Sequence, residues 1–218
     1  MDKLHYETVE PETLKTLQTL MADEYLSDFL LVGGTALSLM TGHRHSVDLD
    51  LFSHEIKDRN ALEAYLKENY KFKTDLSIGK SLLGYIGDLK IDLISYPYKL
   101  MAPPVEIDGL RLISPEDIAA MKMCAIMNSG KRIKDFVDMA YLSTYFSFRD
   151  ITRLFSMKYP DCSMLSAVKS MTYFEDIDFS ARIDMVSARF NWTLVRKRLE
   201  AMVAYPARKF DTPPLEPR

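Results

Sequence analysis

Residues 31–52 read LVGGTALSLMTGHRHSVDLDLF: an apolar run meets two glycines and a threonine, and further on two aspartates flank one leucine. Gly33-Gly34 lets a strand turn sharply with no Cβ in the way. If a helix begins at that turn, its free N–H groups point at whatever sits above it, and phosphate is a natural occupant. Thr35 adds a hydroxyl donor. Taken alone, the same letters also describe a tight strand-to-helix turn with no ligand. The two acids narrow the choice. Residues two apart on a strand project from one face, about 7 Å apart. Asp48 and Asp50 then sit side by side while Val47, Leu49 and Leu51 face the core. Carboxylates so placed repel unless a cation lies between them. Magnesium, or manganese in its place, prefers oxygen ligands and also holds substrate phosphates. Exposed acids on an edge strand are the plain alternative, and the apolar surroundings weigh against it.

A third acid lies in LKIDLIS, residues 89–95, where Asp92 sits among Ile91, Leu93 and Ile94. An unpaired charge there calls for a strand that borders a polar site. If that strand neighbours the first, Asp92 completes a carboxylate triad, in which two ions would activate an attacking hydroxyl and steady a departing pyrophosphate. A solvent-facing aspartate on an antiparallel strand fits this one residue as well.

Around these segments the chain alternates strands and helices. Residues 11–29 carry Leu14, Leu17, Met21 and Tyr25 at helical steps, which predicts one helix from Pro11 to Phe29. A short strand leads into the glycines, a short helix spans Thr35 to Met40, and a strand spans Val47 to Phe52. Asp58 caps a helix reaching Tyr70. Alternating stretches predict a meander or hairpin from Lys71 to Pro97 with its turn at Gly87-Asp88, and a small hairpin on Asp108-Gly109. From Ser114 the character changes: a serine cap, Pro115, then Glu116 and Asp117 open a helix that Gly130 stops. From there KRIKDFVDMAYLSTYF, RDITRLFSMKYP and NWTLVRKRLEAMVAY carry helical periodicity, and the tail DTPPLEPR reads as disordered. The expectation is an α+β core over residues 1–113 with a mixed sheet, then a helical bundle over 114–218.

With 218 residues and a net charge of −3, the chain builds a real core but has no global basic field. Cys124 and Cys162 lack zinc-site spacing and read as buried reduced thiols. No apolar leader or membrane-length apolar run is visible, so the expected compartment is the cytoplasm, with no membrane partner.

In the helical half, Lys122 lies among Ala119, Ala120, Met121, Met123, Cys124 and Ala125. A phosphate would give its charge an outlet; a side chain snorkelling to water would do the same. Asp135 and Asp138, with Lys131, Arg132 and Lys134 nearby, suit local i,i+3 and i,i+4 ion pairs. His43 and His45 lack a third metal ligand and read as surface or supporting residues. Arg44 reads as a support for the acids or a phosphate contact, and Ser46 as a phosphate or nucleophile contact. Tyr141, Tyr145, Phe146 and Phe148 read as bundle core rather than a base-stacking platform.

GGTALSLMTGHRHSVDLDLF resembles the signature of the nucleotidyltransferase AbiEii/AbiGii toxin family, a branch of the polymerase β-like nucleotidyltransferases. SPEDIAAMKMCAIMNSGKRIKDFVDMAYL, residues 114–142, resembles the family's second block. Many relatives have serine where this chain has Thr35, which keeps the hydroxyl. The resemblance implies the polymerase β-like core, nucleoside triphosphate binding at Gly33, Gly34 and Thr35, and metal binding by Asp48 and Asp50. It implies a third acid at Asp92, triphosphate neutralisation by Lys122, and a site role for Asp135 and then Asp138. It further implies transfer of a nucleoside monophosphate to an acceptor hydroxyl, with RNA or tRNA a reasonable acceptor. The same resemblance makes the chain the toxin of a toxin–antitoxin or abortive-infection system, with an antitoxin encoded nearby. Two other readings use the same residues: a binding protein of this fold without catalysis, and a metal-dependent phosphohydrolase.

Overall fold

The computed structural model describes residues 3–216. The chain divides into two compact units. One comprises the residues up to Gly42, Ser46–Lys99 and Pro103–Ile113; the other comprises His43–His45, Leu100–Ala102 and the chain from Ser114 onward.

The first unit is built on a mixed seven-stranded sheet. Its strands are β1 (Leu30–Val32), β2 (Leu49–Ser53), β3 (Lys73–Ile78), β4 (Ser81–Ile86), β5 (Leu89–Ser95), β6 (Val105–Ile107) and β7 (Leu110–Leu112), in the spatial order β3-β4-β5-β2-β1-β7-β6. β2 runs antiparallel to β1 and parallel to β5. The alternation read in the sequence is what lets this sheet form. Leu49, Leu51, Ile91 and Leu93 are all buried, and they anchor the register that sets Asp50 opposite Asp92. β3 forms one edge, and its Lys73 and Asp75 suit an exposed strand.

Three helices belong to this unit: α1 (Pro11–Ala22), α2 (Gly33–Thr41) and α3 (Arg59–Tyr70). Asp58 caps α3 by accepting from the N–H groups of Asn60 and Ala61. Every residue of α2 from Thr35 to Met40 is buried, so this short helix is held by packing on all sides rather than by its own propensity. The predicted helix to Phe29 stops instead at Ala22. There Asp23 accepts from the Tyr25 N–H and from the hydroxyls of Tyr65 and Tyr70, pulling the chain into a 3-10 turn over Glu24–Leu26. Arg111 on β7 secures the same corner by donating to the carbonyls of Met21, Leu26 and Phe29.

The second unit contains α4 (Pro115–Asn128), α5 (Ile133–Leu142), α6 (Phe148–Lys158), α7 (Met164–Ser170) and α8 (Trp192–Ala204). Ser114 caps α4 through the Asp117 N–H, and Ser147 with Asp150 forms a full capping box on α6. Asp117 is wholly buried, paired with Lys158 at 2.7 Å and receiving the Met101 N–H at 2.9 Å. α7 has no counterpart in the sequence reading. The tail differs too. Residues 211–216 are ordered because Leu215 is buried and Arg198 donates to the carbonyls of Thr212 and Pro213; residues 217 and 218 lie outside the described part. Tyr141 and Phe148 are core, whereas Tyr145 is exposed. Cys124 and Cys162 are free thiols and only half-buried. Among the described residues, no helix is long and apolar enough to cross a membrane.

Candidate active site

In the first unit the acids meet the glycine turn. Val32 pairs with Asp50 across the β1–β2 ladder, so the Asp50 carboxylate arrives beside the next residue, Gly33. A Cβ on Gly33 would lie 2.6 Å from Asp50 Oδ2, and Gly33 has a φ of +69°. Both facts require glycine there: the backbone is left-handed, and the carboxylate occupies the space of a side chain. Gly33→Ala is therefore expected to cost about 1–3 kcal/mol of stability and to displace Asp50. Thermal denaturation of the variant checks this, and an unchanged midpoint would contradict it.

Asp92 is the third acid. It lies opposite Asp50 on the parallel neighbour strand and is only 6% exposed. Its Oδ2 accepts from the Lys90 ammonium at 2.9 Å, whereas its buried Oδ1 has no hydrogen-bond partner among the described residues. An unsatisfied buried carboxylate oxygen is costly, and a ligand that brings positive charge or a proton would satisfy it. Asp48 stands just before β2 begins at Leu49. Among the described residues no group of three or more His, Cys, Asp or Glu is set as a metal cage. The triad of the sequence reading is thus an in-register pair with a third acid at its edge. Such an open arrangement suits magnesium, which is held by one or two carboxylates together with water and substrate phosphates.

The hydroxyl of Thr35 has a different task from the one expected. It is 1% exposed and donates to the backbone carbonyl of Asp48, with Ser46 Oγ 2.9 Å away. Thr35 and Ser46 therefore tie α2 to the chain leading into β2, and their hydroxyls are turned inward instead of being offered to a phosphate. The backbone N–H groups at the α2 N-terminus are the donors that the turn itself offers to an anion.

Lys90 is the residue that sequence reasoning missed. It shares a strand face with Asp92, and its pKa is raised by the hydrogen bond to Asp92, against the opposing effect of burial, and by the charges of Asp92, Asp48 and Asp50. The clue was available in LKID: the lysine stands two residues before the acid, hence on the same face.

The second unit gathers the remaining candidates into one buried charge network. Asp138, fully buried, accepts from Arg44 Nε at 2.7 Å and Nη2 at 2.9 Å, and its Oδ2 pairs with Lys122 Nζ at 2.6 Å. His43 Nε2 lies 2.9 Å from Asp138 Oδ1, and Lys122 Nζ also reaches Asp135 at 2.7 Å. Burial pushes the Asp138 carboxyl up, but the charges of Arg44 and Lys122 and the hydrogen bonds from His43 and Arg44 outweigh it and hold it well below the usual range. Burial likewise opposes the charge on Lys122, yet Asp138 and Asp135 hold its pKa above normal. His43 goes the other way, because desolvation dominates and keeps the imidazole neutral.

Three expectations change accordingly. Arg44 is a buried bidentate partner of Asp138 rather than a phosphate contact. His43 is a buried member of the network, not a surface residue. Lys122 neither snorkels nor stands ready as a spare charge, since two carboxylates already match it. The local i,i+3 pair proposed for Asp135 exists with Arg132 at 3.8 Å, but Lys122 is its closer partner.

Comparison with known proteins places these features in a family. The profile described as "Nucleotidyl transferase AbiEii toxin, Type IV TA system" matches residues 15–75 and 68–164. The chain is 28% identical over 174 residues to the uncharacterized protein aq_aa25 of Aquifex aeolicus (strain VF5), covering 77% of this chain and 84% of that one. Its fold is similar to a crystal structure from H. pylori, provisionally described as a nucleotidyltransferase, with a TM-score of 0.56 at 20% identity and coverage of 89% and 94%. It is also similar to the solution structure of the antibiotic-resistance factor ANT(2'')-Ia, with a TM-score of 0.51 at 18% identity and coverage of 67% and 91%.

Proposed function

The chain belongs to the AbiEii nucleotidyltransferase family, and on that premise we propose that it moves a nucleoside monophosphate from a nucleoside triphosphate to an acceptor hydroxyl at the Asp48–Asp50–Asp92 site. Its mixed sheet and flanking helices have the polymerase β-like nucleotidyltransferase fold. One observation carries the proposal: the buried, unpartnered Oδ1 of Asp92 stands in register with Asp50, whose carboxylate packs against the Gly33 turn.

In this reading Asp50 and Asp92, with Asp48 at the edge, would hold magnesium or manganese. The ion would supply Lewis-acid charge to the phosphates and the pyrophosphate leaving group. The residues do the rest. The N–H groups at the start of α2 orient the triphosphate, with its negative charge at the positive end of the helix. Thr35 and Ser46 fix the segment that delivers Asp48. Asp92 Oδ1 accepts a hydrogen bond from the acceptor hydroxyl and takes its proton as the oxygen attacks the α-phosphorus. The buried lattice of Lys122, Asp135, Asp138, Arg44 and His43 is the second unit's contribution, and we assign it to holding α4 and α5 against the His43–His45 segment.

Family membership supports a toxin role with a separately encoded antitoxin, and it supports RNA, tRNA included, as the acceptor. Incubating the purified protein with magnesium or manganese, each labelled nucleoside triphosphate and total RNA tests the reaction. Labelled RNA with release of pyrophosphate is expected. Release of inorganic phosphate with no labelled acceptor would overturn transfer in favour of hydrolysis.

A further inference from the structure

The acid site carries a cation of its own. The β2–β5 register pairs Leu49 with Ile91 and Asp50 with Asp92, so strand alternation puts Lys90 on the acidic face, next to the position from which Asp48 enters. The Lys90 ammonium lies 2.9 Å from Asp92 Oδ2, and the lysine side chain is 41% exposed, anchored at its tip but open to solvent along its length. Asp48, Asp50 and Asp92 all act on its charge. Without a cation, the Asp50–Asp92 pair and Asp48 at its edge would repel one another. Lys90 relieves that repulsion, but incompletely, because Asp92 Oδ1 stays unpartnered. A flexible, half-exposed lysine makes a weak and replaceable ion pair. A divalent cation carries twice its charge.

We propose that Lys90 is a built-in counter-ion of the carboxylate site, neutralising it in the ion-free chain and yielding that role to the divalent cation. The inference rests on the metal-binding reading of Asp50 and Asp92. It has two consequences. Lys90 competes with the ion and so sets its affinity, and it keeps the acids from splaying between turnovers. It is a positioning residue, since its partner is a carboxylate and not the substrate.

Calorimetric titration of the full chain with Mn²⁺ tests this without any assay of activity. Lys90→Met is expected to bind Mn²⁺ about tenfold more tightly than wild type, the scale set by one charge acting on a doubly charged ion at a partly solvated site. Lys90→Arg keeps the charge and is expected to stay within about threefold of wild type. In chelator the Lys90→Met chain is expected to melt below wild type, and added Mn²⁺ is expected to close the gap. Equal or weaker Mn²⁺ binding by Lys90→Met, with wild type still binding, would overturn the counter-ion role alone. Absence of Mn²⁺ binding in wild type and variant alike would overturn the metal reading and this inference with it.

Discussion

Asp50→Asn lowers nucleotide transfer by about three orders of magnitude while leaving the chain folded; this is the largest effect expected on activity. The substitution keeps the shape of the side chain, so the close approach to Gly33 survives. What it removes is the negative charge that faces Asp92 across the parallel ladder. With that charge gone, only Asp92 and the edge residue Asp48 remain to attract a cation, and Lys90 already engages Asp92. The measurement is steady-state transfer of labelled nucleotide, with far-ultraviolet circular dichroism as the check on folding. Retention of more than about a tenth of wild-type activity would be incompatible with a site centred on Asp50.

Asp138→Ala has the largest expected effect on stability. The carboxylate is fully buried, and its removal strands Arg44 and Lys122 without their shared counter-charge. Breaking a buried ion pair from one side costs about 3–5 kcal/mol. In a chain of this size that corresponds to a fall of about 10 °C in the thermal midpoint. The sign with pH follows from the same network. Asp138 has a depressed carboxyl, so its stabilisation is fully present above its unfolded pKa and is lost as pH falls through the lower folded value. His43 adds an earlier limb. Its imidazole stays neutral in the fold, so the unfolded chain takes up a proton first, and stability begins to fall below about pH 6.5. Midpoints measured from pH 8 to pH 2 are expected to decline first through the His43 limb and then, below about pH 4, through the Asp138 limb, and His43→Gln is expected to remove the first limb. A profile flat down to pH 5 would contradict the buried neutral histidine.

Much of this was legible beforehand, for reasons that particular residues illustrate. Ser114-Pro115-Glu116-Asp117 announces its helix because capping is local chemistry, settled within one turn. Leu49, Asp50 and Leu51 announce a two-faced strand because the period of two needs no partner to be read, although Asp48, read with them, falls just before the strand begins. Asp23 shows where such reading ends. Helical spacing runs on through Met21 and Tyr25, and only the distant hydroxyls of Tyr65 and Tyr70 reveal why the helix stops. Thr35 was read correctly as a hydroxyl donor, but its direction depends on the backbone carbonyl of Asp48, which the fold brings to it. His43 read as a surface or supporting residue, and Arg44 as a support for the acids or a phosphate contact, because nothing nearby in the sequence names their partner. Their partner, Asp138, lies far along the chain, and no local pattern joins them.

The pairing of Asp50 with Asp92 also bears on how the protein matures. Parallel strands cannot be joined by a tight turn, and α3, β3 and β4 all intervene between these two. Closing so long a loop is entropically slow, and here it must also drive two like charges together. A chain still emerging from the ribosome, or one whose central ladder has transiently unzipped, therefore has both acids but not their pairing. The pairing is completed late in folding, and because it lies at the centre of the sheet rather than at its edges it persists until the central ladder itself opens.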